Sequence, residues 1–404
     1  MGWLRKALNP SPTRFAQKMI RGLRASGLRG PVKYNPDGNR LLLDGDADRV
    51  MYLDNAYSEF CAAPLRRRRQ VFQNYLRAFT QTPPTPPDDY AEAKPNILPR
   101  IRDRFYYEEI RLRFRVDGAN LLEIPTRPIA GQLAVELVYD FPDSVGTITQ
   151  AQLDKWGVTF DEAMAVARDN MWRISNQPFG QPAPGFHVSP WHDNHDASRL
   201  LLHDLVWQLK VNGDHVAIAP TRDVLLVTGS NDVVGLRRML SMAEAAFQDT
   251  RANLAGAVRL RGSTWEPLDL PPEHPVYLGQ KNFDAQIWAV AYERQKGLLE
   301  AQHAKSGQDV FVASVILTEE ADTGRYLSMA TWTKGVETLL PRVDRIFFVD
   351  MDEPESQRDV RSVAWDDAVR DFRSLMTPMG LYPERWRVRE FPTPEQLRAL
   401  PSII

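Results

Sequence analysis

The chain has 404 residues, of which 43% are hydrophobic and 25% are charged, with a formal net charge of −2 at pH 7. One hydrophobic core stops growing near about 250 residues, so two or three domains are expected. The apolar content excludes an intrinsically disordered chain, and the lack of any run of about 18 apolar residues excludes a transmembrane helix at the level of sequence.

The single cysteine, Cys61, cannot form an intramolecular disulfide, which predicts a protein of a reducing compartment. The first residues, MGWLRKALNPSP, lack the apolar core and the cleavage site of a secretory signal. We therefore expect a cytoplasmic protein. Because Cys61 precedes two alanines, we interpret it as a core thiol and not as a reactive one.

Charge is unevenly distributed along the chain. Residues 1–82 contain 15 lysines and arginines against 6 aspartates and glutamates, a net charge of +9, which leaves −11 for the remainder. Such a split either steers acidic partners or nucleic acid to the first part of the chain, or reflects two complementary parts of one protein.

The first 82 residues predict a basic helix–meander–helix unit of α+β type. Ser11 before Pro12 is typical of a helix start, and apolar residues then recur on one face as far as Gly27. A second helix is predicted over 64–80 from its apolar face. Between the helices, short β-prone runs separated by turn residues predict an antiparallel meander over 32–34, 40–43 and 50–53.

Proline-rich segments divide the rest of the chain. Four prolines within six residues at 82–87 disfavour helix and favour an extended spacer, so residues 83–96 are predicted to be a linker. Residues 256–275 are also rich in proline and predict a second linker. These boundaries leave a central domain over 97–255 and a C-terminal domain over 276–404.

Both of these domains alternate predicted helices and strands. Residues 97–115 fit a helix or a strand, and we favour the helix. The other central elements are a strand at 133–141, helices at 150–156, 160–174, 197–209 and 232–248, and strands at 216–219 and 224–228. The C-terminal elements are a helix at 283–303, a hairpin of 310–317 and 325–331, a strand at 345–349 and a helix at 366–376. The predicted fold class is α/β to α+β mixed, with small mixed or antiparallel sheets flanked by helices.

The densest cluster of possible metal ligands is His192, Asp193, His195 and Asp196. Imidazoles and carboxylates at this density could bind a divalent metal, the one cofactor that the sequence suggests. The alternative, which we favour, is that Asp196 caps a helix beginning at residue 197 while the histidines lie on an exposed loop.

A second acidic candidate is the pair Asp350 and Asp352, which follows the strand predicted at 345–349. Ligands of α/β proteins gather at the carboxyl ends of strands, and two carboxylates at this spacing can hold magnesium. We favour a solvated acidic turn. The acidic segment 44–48 does not fit a calcium loop, because glycine and glutamate are missing from the required positions.

The sharpest run of charge is Arg66, Arg67, Arg68 and Arg69, near the predicted start of a helix, where the helix dipole disfavours cations. A phosphate, a nucleic-acid backbone or an acidic partner surface would compensate for this charge. The alternative that we favour is a solvated face with ion pairs to the acidic remainder of the chain.

Several stretches of the middle region carry a family resemblance. They are LAVELVYDFPDS, LDKWGVTFDEAMAVARDN, DASRLLLHDLVWQL and VAIAPTRDVLLVTGSND. Over about residues 97–250, and more weakly over 13–82 through VMYLDNAYSEFCAAP, the chain resembles the YtpQ family of bacterial proteins of unknown function. The resemblance implies a bacterial cytoplasmic protein, and it supplies no catalytic residues to transfer.

Three functions are compatible with the sequence. The leading hypothesis is a noncatalytic interaction or regulatory protein with a protein partner, because the common phosphate-binding, dinucleotide-binding and nucleophile motifs are missing. A metal-dependent hydrolase using the 192–196 cluster and a metal-activated water is one alternative. Nucleic-acid binding through the basic N-terminal unit is the other. Whether the chain is an enzyme stays open, with the balance against it.

Overall fold

A computed structural model of the chain describes residues 9–36, 38–43, 50–80, 84–117, 123–142, 144–247, 252–351 and 361–400. Within these ranges, helices flank several small antiparallel and mixed sheets, which confirms the predicted mixed α+β fold class. None of the helices found there combines the length and the apolar character needed to cross a lipid bilayer.

The N-terminal unit forms the predicted helix, meander and helix around a core of its own. Its elements are α1 (Pro12–Ala25), β1 (Val32–Asn35), β2 (Arg40–Leu43), β3 (Val50–Tyr52), α2 (Asp54–Ala62) and α3 (Leu65–Thr80). The strands pair in chain order and antiparallel. Ser11 caps α1, accepting a hydrogen bond from the backbone N–H of Arg14 at 3.2 Å, as the sequence predicts. Helix α2 was not predicted, because its nine residues are too few to show a clear period.

Helices α1 and α3 pack closely against each other. A Cβ atom at Gly22 would lie 3.0 Å from a methyl carbon of Leu76, so the side chain of α3 fills the space that glycine leaves. Phe15, Met19 and Leu23 of α1 are fully buried in the core beneath. Most polar residues of α1 therefore lie on the outside of the unit.

A small sheet covered by helices opens the central part. Strand β6 is its centre, because it pairs antiparallel with three neighbours. The strands are β4 (Ile97–Asp103), β5 (Thr126–Ala130), β6 (Leu133–Phe141) and β7 (Ser144–Thr147). The helices are α4 (Tyr90–Ala93), α5 (Arg104–Asp117), α6 (Gln150–Trp156) and α7 (Phe160–Ile174). Asp103 ends β4 and caps α5, since its Oδ1 accepts a hydrogen bond from the N–H of Tyr106 at 2.9 Å.

A six-stranded antiparallel sheet forms the rest of the central part, in the order β13-β12-β10-β11-β9-β8. Its strands are β8 (Gly180–Ala183), β9 (Phe186–Val188), β10 (His215–Thr221), β11 (Val224–Gly229), β12 (Val258–Arg261) and β13 (Thr264–Pro267). The helices of this part are a 3-10 helix (Asp196–Leu201), α8 (His203–Trp207) and α9 (Val233–Ala246). Leu236 and Met239 of α9 are buried in the core that the sheet lines.

The C-terminal part contains two four-stranded mixed sheets. Their strand orders are β14-β17-β21-β20 and β15-β16-β18-β19. The strands are β14 (Phe311–Val312), β15 (Ile316–Glu319), β16 (Tyr326–Thr333), β17 (Thr338–Pro341), β18 (Arg345–Val349), β19 (Arg361–Ala364), β20 (Met376–Pro378) and β21 (Arg385–Val388). The helices are α10 (Tyr277–Ser306), α11 (Trp365–Phe372), a 3-10 helix (Arg373–Leu375) and α12 (Pro394–Ala399).

Helix α10 joins the central and C-terminal parts. Phe283 and Ile287 near its beginning are buried with the six-stranded sheet. Leu299, closer to its end, is buried with Val312 and Leu339 of the C-terminal sheet. A helix of 30 residues is about 45 Å long, which is enough to contribute to two cores in turn.

Segments predicted as linkers contain regular structure. Residues 258–261 and 264–267, inside the predicted second linker, pair as β12 and β13 at the edge of the six-stranded sheet. The prolines fit there because Pro267 ends an edge strand. At the end of the predicted first linker, 90–96 is helical, and Ala93 is buried in the core under α6 and α7.

Three further predictions were wrong in detail. The segment 97–115 is not one helix but strand β4 followed by helix α5. Asp103, in the middle of this segment, caps the start of α5. The helix predicted over 197–209 is a 3-10 helix followed by a short α-helix. The predicted hairpin is also only partly right, because Phe311–Val312 pairs with β17, and only Ile316–Glu319 pairs with β16.

Candidate functional site

The loop 192–196 is built around an ion pair between Arg199, which is fully buried, and Asp193, whose side chain is 32% exposed. The Arg199 guanidinium donates two hydrogen bonds to Asp193, from Nη1 to Oδ1 at 2.9 Å and from Nη2 to Oδ2 at 2.7 Å. It also lies 3.9 Å from the ring centre of Trp191. Burial alone would raise the pKa of Asp193, but its hydrogen bonds and charge interaction with Arg199 outweigh burial and hold the pKa below its usual range. Both carboxylate oxygens of Asp193 are therefore already engaged by Arg199.

The neighbouring His195 and Asp196 are buried, at 2% and 0% exposure. The His195 backbone N–H donates to Asp193 Oδ1 at 3.0 Å, and its Nε2 lies 3.9 Å from Asp140 Oδ1. The side chain of Asp196 does not cap the following 3-10 helix, for which His195 is the capping residue without a side-chain hydrogen bond. Instead Asp196 Oδ2 accepts a hydrogen bond from the N–H of Asp193 at 3.2 Å. The predicted helix cap is thus wrong, and so is the exposed position predicted for His195.

His192 is exposed, as predicted, and its Nδ1 lies 3.3 Å from the carbonyl oxygen of Asp223. In the ranges that the structure describes, no group of three or more His, Cys, Asp or Glu side chains is arranged to hold a metal ion. The four candidate residues are therefore neighbours in one loop without forming a common ligand set.

The second acidic candidate is only partly described. Asp350 follows β18, and its Oδ2 accepts a hydrogen bond from Lys334 Nζ at 2.8 Å. Asp352 and the acidic segment 44–48 lie outside the described residues. Lys334 follows β16, the parallel neighbour of β18, so this ion pair links the ends of two neighbouring strands.

The arginine run divides into one buried and three exposed side chains. Arg68 is 8% exposed and donates hydrogen bonds from Nη2 to the carbonyl oxygen of Cys61 at 3.1 Å and from Nε to that of Ala63 at 3.3 Å. It therefore satisfies carbonyl groups at the C-terminal end of α2, where the helix dipole favours a cation. Of the four arginines, Arg68 therefore stabilises the fold.

Arg66, Arg67 and Arg69 are exposed in the first turn of α3. None of them has a carboxylate within 4 Å in the described part of the chain. The same is true of Arg14 and Arg24 on the exposed side of α1. The predicted ion pairs between this run and the acidic remainder are therefore not formed by these side chains.

A buried polar set that was not predicted lies on one face of the first central sheet. Arg100 of β4 and Glu136 of β6 are register partners, and Arg100 Nε donates to Glu136 Oε1 at 2.8 Å. Arg100 Nη2 donates to Thr147 Oγ1 at 2.9 Å, and the Tyr107 hydroxyl donates to Glu136 Oε1 at 3.2 Å. Burial and then the charge of Glu136 raise the pKa of Tyr107 well above 10, so this phenol stays a neutral donor.

A cleft of about 510 Å³ lies beside this polar set. It is lined mainly by α5, β5 and β6, with one residue from the C-terminal part. The lining residues are Arg104, Tyr107, Glu108, Ile110, Arg111, Glu123, Ile124, Thr126, Pro128, Ala134 and Tyr382. The Tyr382 ring stacks on Phe105 of α5 with their centres 4.8 Å apart, which holds the C-terminal segment against the cleft.

The cleft was missed because it depends on strand pairing. Arg100 and Glu136 are 36 residues apart, and a segment expected to be helical could not be placed in register with β6. One local signal was present. Glu136 interrupts the otherwise apolar run LAVELVYDF, and a charged residue in a buried strand calls for a partner on the neighbouring strand.

Comparisons with known proteins found no relative: no protein-family model, no curated protein and no solved structure matches the chain. Its function has to be inferred from the side chains that its own fold brings together.

Proposed function

We propose that the chain is a noncatalytic interaction protein of the cytoplasm, and that its N-terminal unit binds the phosphate backbone of a nucleic acid. A single observation carries this proposal. Three arginines, Arg66, Arg67 and Arg69, are exposed in one helical turn and have no carboxylate partner in the described part of the chain.

The position of these arginines favours an anionic ligand. They lie at the N-terminal end of α3, where the dipole adds partial positive charge, and the first turn contains no acidic residue. Positive charge concentrated in this way destabilises the isolated unit and is relieved when an anion binds. Guanidinium groups match phosphate oxygens in a two-pronged geometry, and helix N-termini are common phosphate sites.

Helix α1 extends the positive surface. Arg14 and Arg24 are exposed, and α1 packs directly on α3 near Gly22. The partner is thus expected to be an extended polyanion and not a single phosphate. Among the described residues of this unit, Leu65 is the one large apolar side chain that is exposed, at 64%, so the described surface offers little for insertion into a membrane. We favour nucleic acid over an acidic protein because the charge is concentrated in arginines and contacts to the phosphate backbone need no base-specific partner.

The metal-dependent hydrolase is not proposed. Asp193 is already engaged by Arg199, and the four predicted ligands do not converge on one point in the described structure. Membership of the YtpQ family, in contrast, is kept as a proposal for residues 97–250. An experimental structure of a family member with the strand order of the central sheets would support it, and a different order would contradict it.

The test is a binding titration with a fluorescent 20-base-pair DNA duplex and an RNA duplex of the same length, followed by fluorescence anisotropy at several salt concentrations. The variant R66Q/R67Q/R69Q removes the exposed charge and keeps Arg68. We expect binding that weakens steeply with salt, and a variant whose slope of log K against log salt is shallower by about 2 to 3.

The matched control removes three exposed arginines from other parts of the chain, as R127Q/R237Q/R261Q. It should bind like wild type. If neither duplex binds at 50 mM salt, the proposal is wrong. It is also wrong if the two triple variants weaken duplex binding equally. If polyglutamate binds more tightly than either duplex, the partner is an acidic protein and nucleic acid is the wrong choice.

A further inference from the structure

A second cleft, the C-terminal cleft, has a volume of about 500 Å³ and is lined by residues of two segments, 374–379 and 387–390. Two arginines of its lining, Arg387 and Arg389, are held by one carboxylate. The Nε atom of each donates a hydrogen bond to Oε1 of Glu337, which for Arg389 measures 2.8 Å. Two nitrogens that bond to the same oxygen lie no more than about 6 Å apart. The two guanidinium groups are therefore neighbours in the wall of the cleft.

The pairing of the strands explains why these donors face the same side. Arg387 lies in β21, and Arg389 follows it by two positions, so the alternation of an extended chain points both side chains in one direction. Thr377 of β20 is the register partner of Arg387 and also lines the cleft. Register partners have Cβ atoms about 5 Å apart, which places the Thr377 hydroxyl group beside Arg387. Two guanidinium groups and a hydroxyl group thus converge from neighbouring strands.

Most of the hydrogen-bonding capacity of the two arginines is unused. A guanidinium group has five N–H donors, and in the described part of the chain only the Nε–H groups of Arg387 and Arg389 make hydrogen bonds. The side chain of Arg387 is 28% exposed and that of Arg389 is 67% exposed. Because both side chains line the cleft and are accessible, a ligand in the cleft can reach their Nη groups.

Glu337 neutralises only one of the two positive charges. Hydrogen bonds from Arg389 and Arg387 hold the pKa of Glu337 below its usual range, so this carboxylate stays ionised. A second carboxylate, that of Glu390, lines the cleft and is exposed. It has no cation within 4 Å among the described residues. Glu390 is therefore a separate acceptor in the same cleft and does not occupy the guanidinium groups.

The chemistry of the lining favours a phosphate over a carboxylate. Arginine forks match the oxygens of either anion, but two guanidinium groups and a hydroxyl group together suit three oxygens, and a carboxylate has only two. Leu375, Pro378 and Met379 add carbon surface to the lining. A volume of about 500 Å³ lies within the range of sites for small organic molecules.

We propose that the C-terminal cleft binds a small phosphate monoester whose organic part carries hydroxyl groups. The phosphate oxygens accept hydrogen bonds from the Nη groups of Arg387 and Arg389 and from the Thr377 hydroxyl group. A hydroxyl group of the organic part donates to Glu390, and its carbon atoms lie against Leu375. This site is separate from the arginines of the N-terminal unit and does not depend on nucleic-acid binding.

The test is isothermal titration of the full chain with glycerol 3-phosphate, glucose 6-phosphate and adenosine 5′-monophosphate. The matched probes are glycerol, glucose and adenosine, which lack the phosphate, and inorganic phosphate, which lacks the organic part. At least one ester should bind with a dissociation constant below about 1 mM. Its parent alcohol should bind about 10- to 100-fold more weakly, which is the value of one charge-assisted hydrogen bond. Inorganic phosphate should also bind more weakly than this ester.

Variants assign the contacts. R389Q and T377V change exposed side chains, so both should fold like wild type. R389Q should weaken binding of the ester about tenfold or more, and T377V about threefold, because a neutral donor contributes less. E390A should weaken binding of the ester without weakening that of inorganic phosphate. The matched control is R398Q, which removes an exposed arginine of α12 outside the lining and should bind the ester like wild type.

Four outcomes overturn the proposal. The first is that no ester of the panel binds with a dissociation constant below about 1 mM. The second is that the parent alcohols, or inorganic phosphate, bind as tightly as the esters. The third is that R389Q and R398Q have equal effects. The fourth is that R66Q/R67Q/R69Q loses the ester, which would place the phosphate on the N-terminal unit. This variant should bind the ester like wild type, so failure here and failure of nucleic-acid binding are distinguished.

Discussion

Asp284 on α10 is a carboxyl group whose ionisation should weaken the fold. Burial raises its pKa from 3.8 to about 6, although Lys281 and a hydrogen bond from Gln280 oppose the rise. The Gln280 amide lies 3.5 Å from Asp284 Oδ2. The neighbouring backbone is also close, since a Cβ atom at Gly256 would lie 2.9 Å from Oδ1. The site therefore accommodates a neutral acid better than a carboxylate.

The sign of the effect follows from the pKa in the two states. Because the folded-state pKa lies above the unfolded-state value, the folded chain binds the proton more tightly. The contribution of Asp284 to stability is therefore fully present below about pH 4 and is lost as the pH rises through about 6. A rise of about two pKa units corresponds to a loss of about 3 kcal/mol.

Asp284→Asn has nearly the shape of the protonated acid and keeps an acceptor for Gln280. We expect the variant and wild type to have equal free energies of unfolding near pH 4. At about pH 7.5 the variant should be more stable by up to about 3 kcal/mol. Urea unfolding followed by tryptophan fluorescence, at a series of pH values, measures the difference, and Trp288 on the same helix is a nearby reporter.

The control is Asp322→Asn, which removes an exposed carboxylate from the same half of the chain. It shows how much of any pH dependence comes from the loss of one exposed carboxylate. If the difference between Asp284→Asn and wild type is the same at both ends of the pH range, or if the variant is less stable near neutral pH, burial of Asp284 does not control its ionisation and the reasoning is wrong.

Two further predictions concern the fold. Arg68→Ala should destabilise the N-terminal unit by about 2 kcal/mol, because the carbonyl groups at the end of α2 lose their donor, whereas Arg69→Ala should change stability by less than about 0.5 kcal/mol; thermal unfolding measures both, and equal effects would contradict the distinction. Gly229→Ala places a Cβ atom 2.1 Å from the backbone oxygen of Asn212, so it should cost more than about 3 kcal/mol in urea unfolding, and a cost below about 1 kcal/mol would contradict this packing.

Local signals in the sequence predicted the elements that depend on local interactions. The start of α1 was predicted because Ser11 and Pro12 act within one turn, and the start of α7 because Thr159 caps it, as it does here together with Glu162. Strand β6 was predicted from its apolar run. In each case a few neighbouring residues determine the conformation.

Elements stabilised by distant partners were not predicted. Residues 258–267 contain few local signals for a strand, and their proline content indicated a linker. They form β12 and β13 because β12 pairs with the distant strand β10. In the same way, the alternation of Arg100 and Arg102 with apolar residues is ambiguous until β6 provides Glu136 as a partner. The candidate cleft depends on this pairing, so it could not be found from composition or motifs.

The uneven charge of the chain allowed two interpretations, internal docking or an external partner. Internal docking requires carboxylates of the acidic remainder beside the arginines of the first unit. In the described structure, Arg66, Arg67 and Arg69 have none, while the contact of Arg113 with the first unit is made with the ring of Tyr52, 4.9 Å from its centre. A cation from the acidic part of the chain therefore meets an aromatic ring at this contact. The described contacts thus give no internal carboxylate partner to the exposed arginines, which agrees with the proposal of an anion from outside the chain. That is the physical reason for placing the partner site on the N-terminal unit.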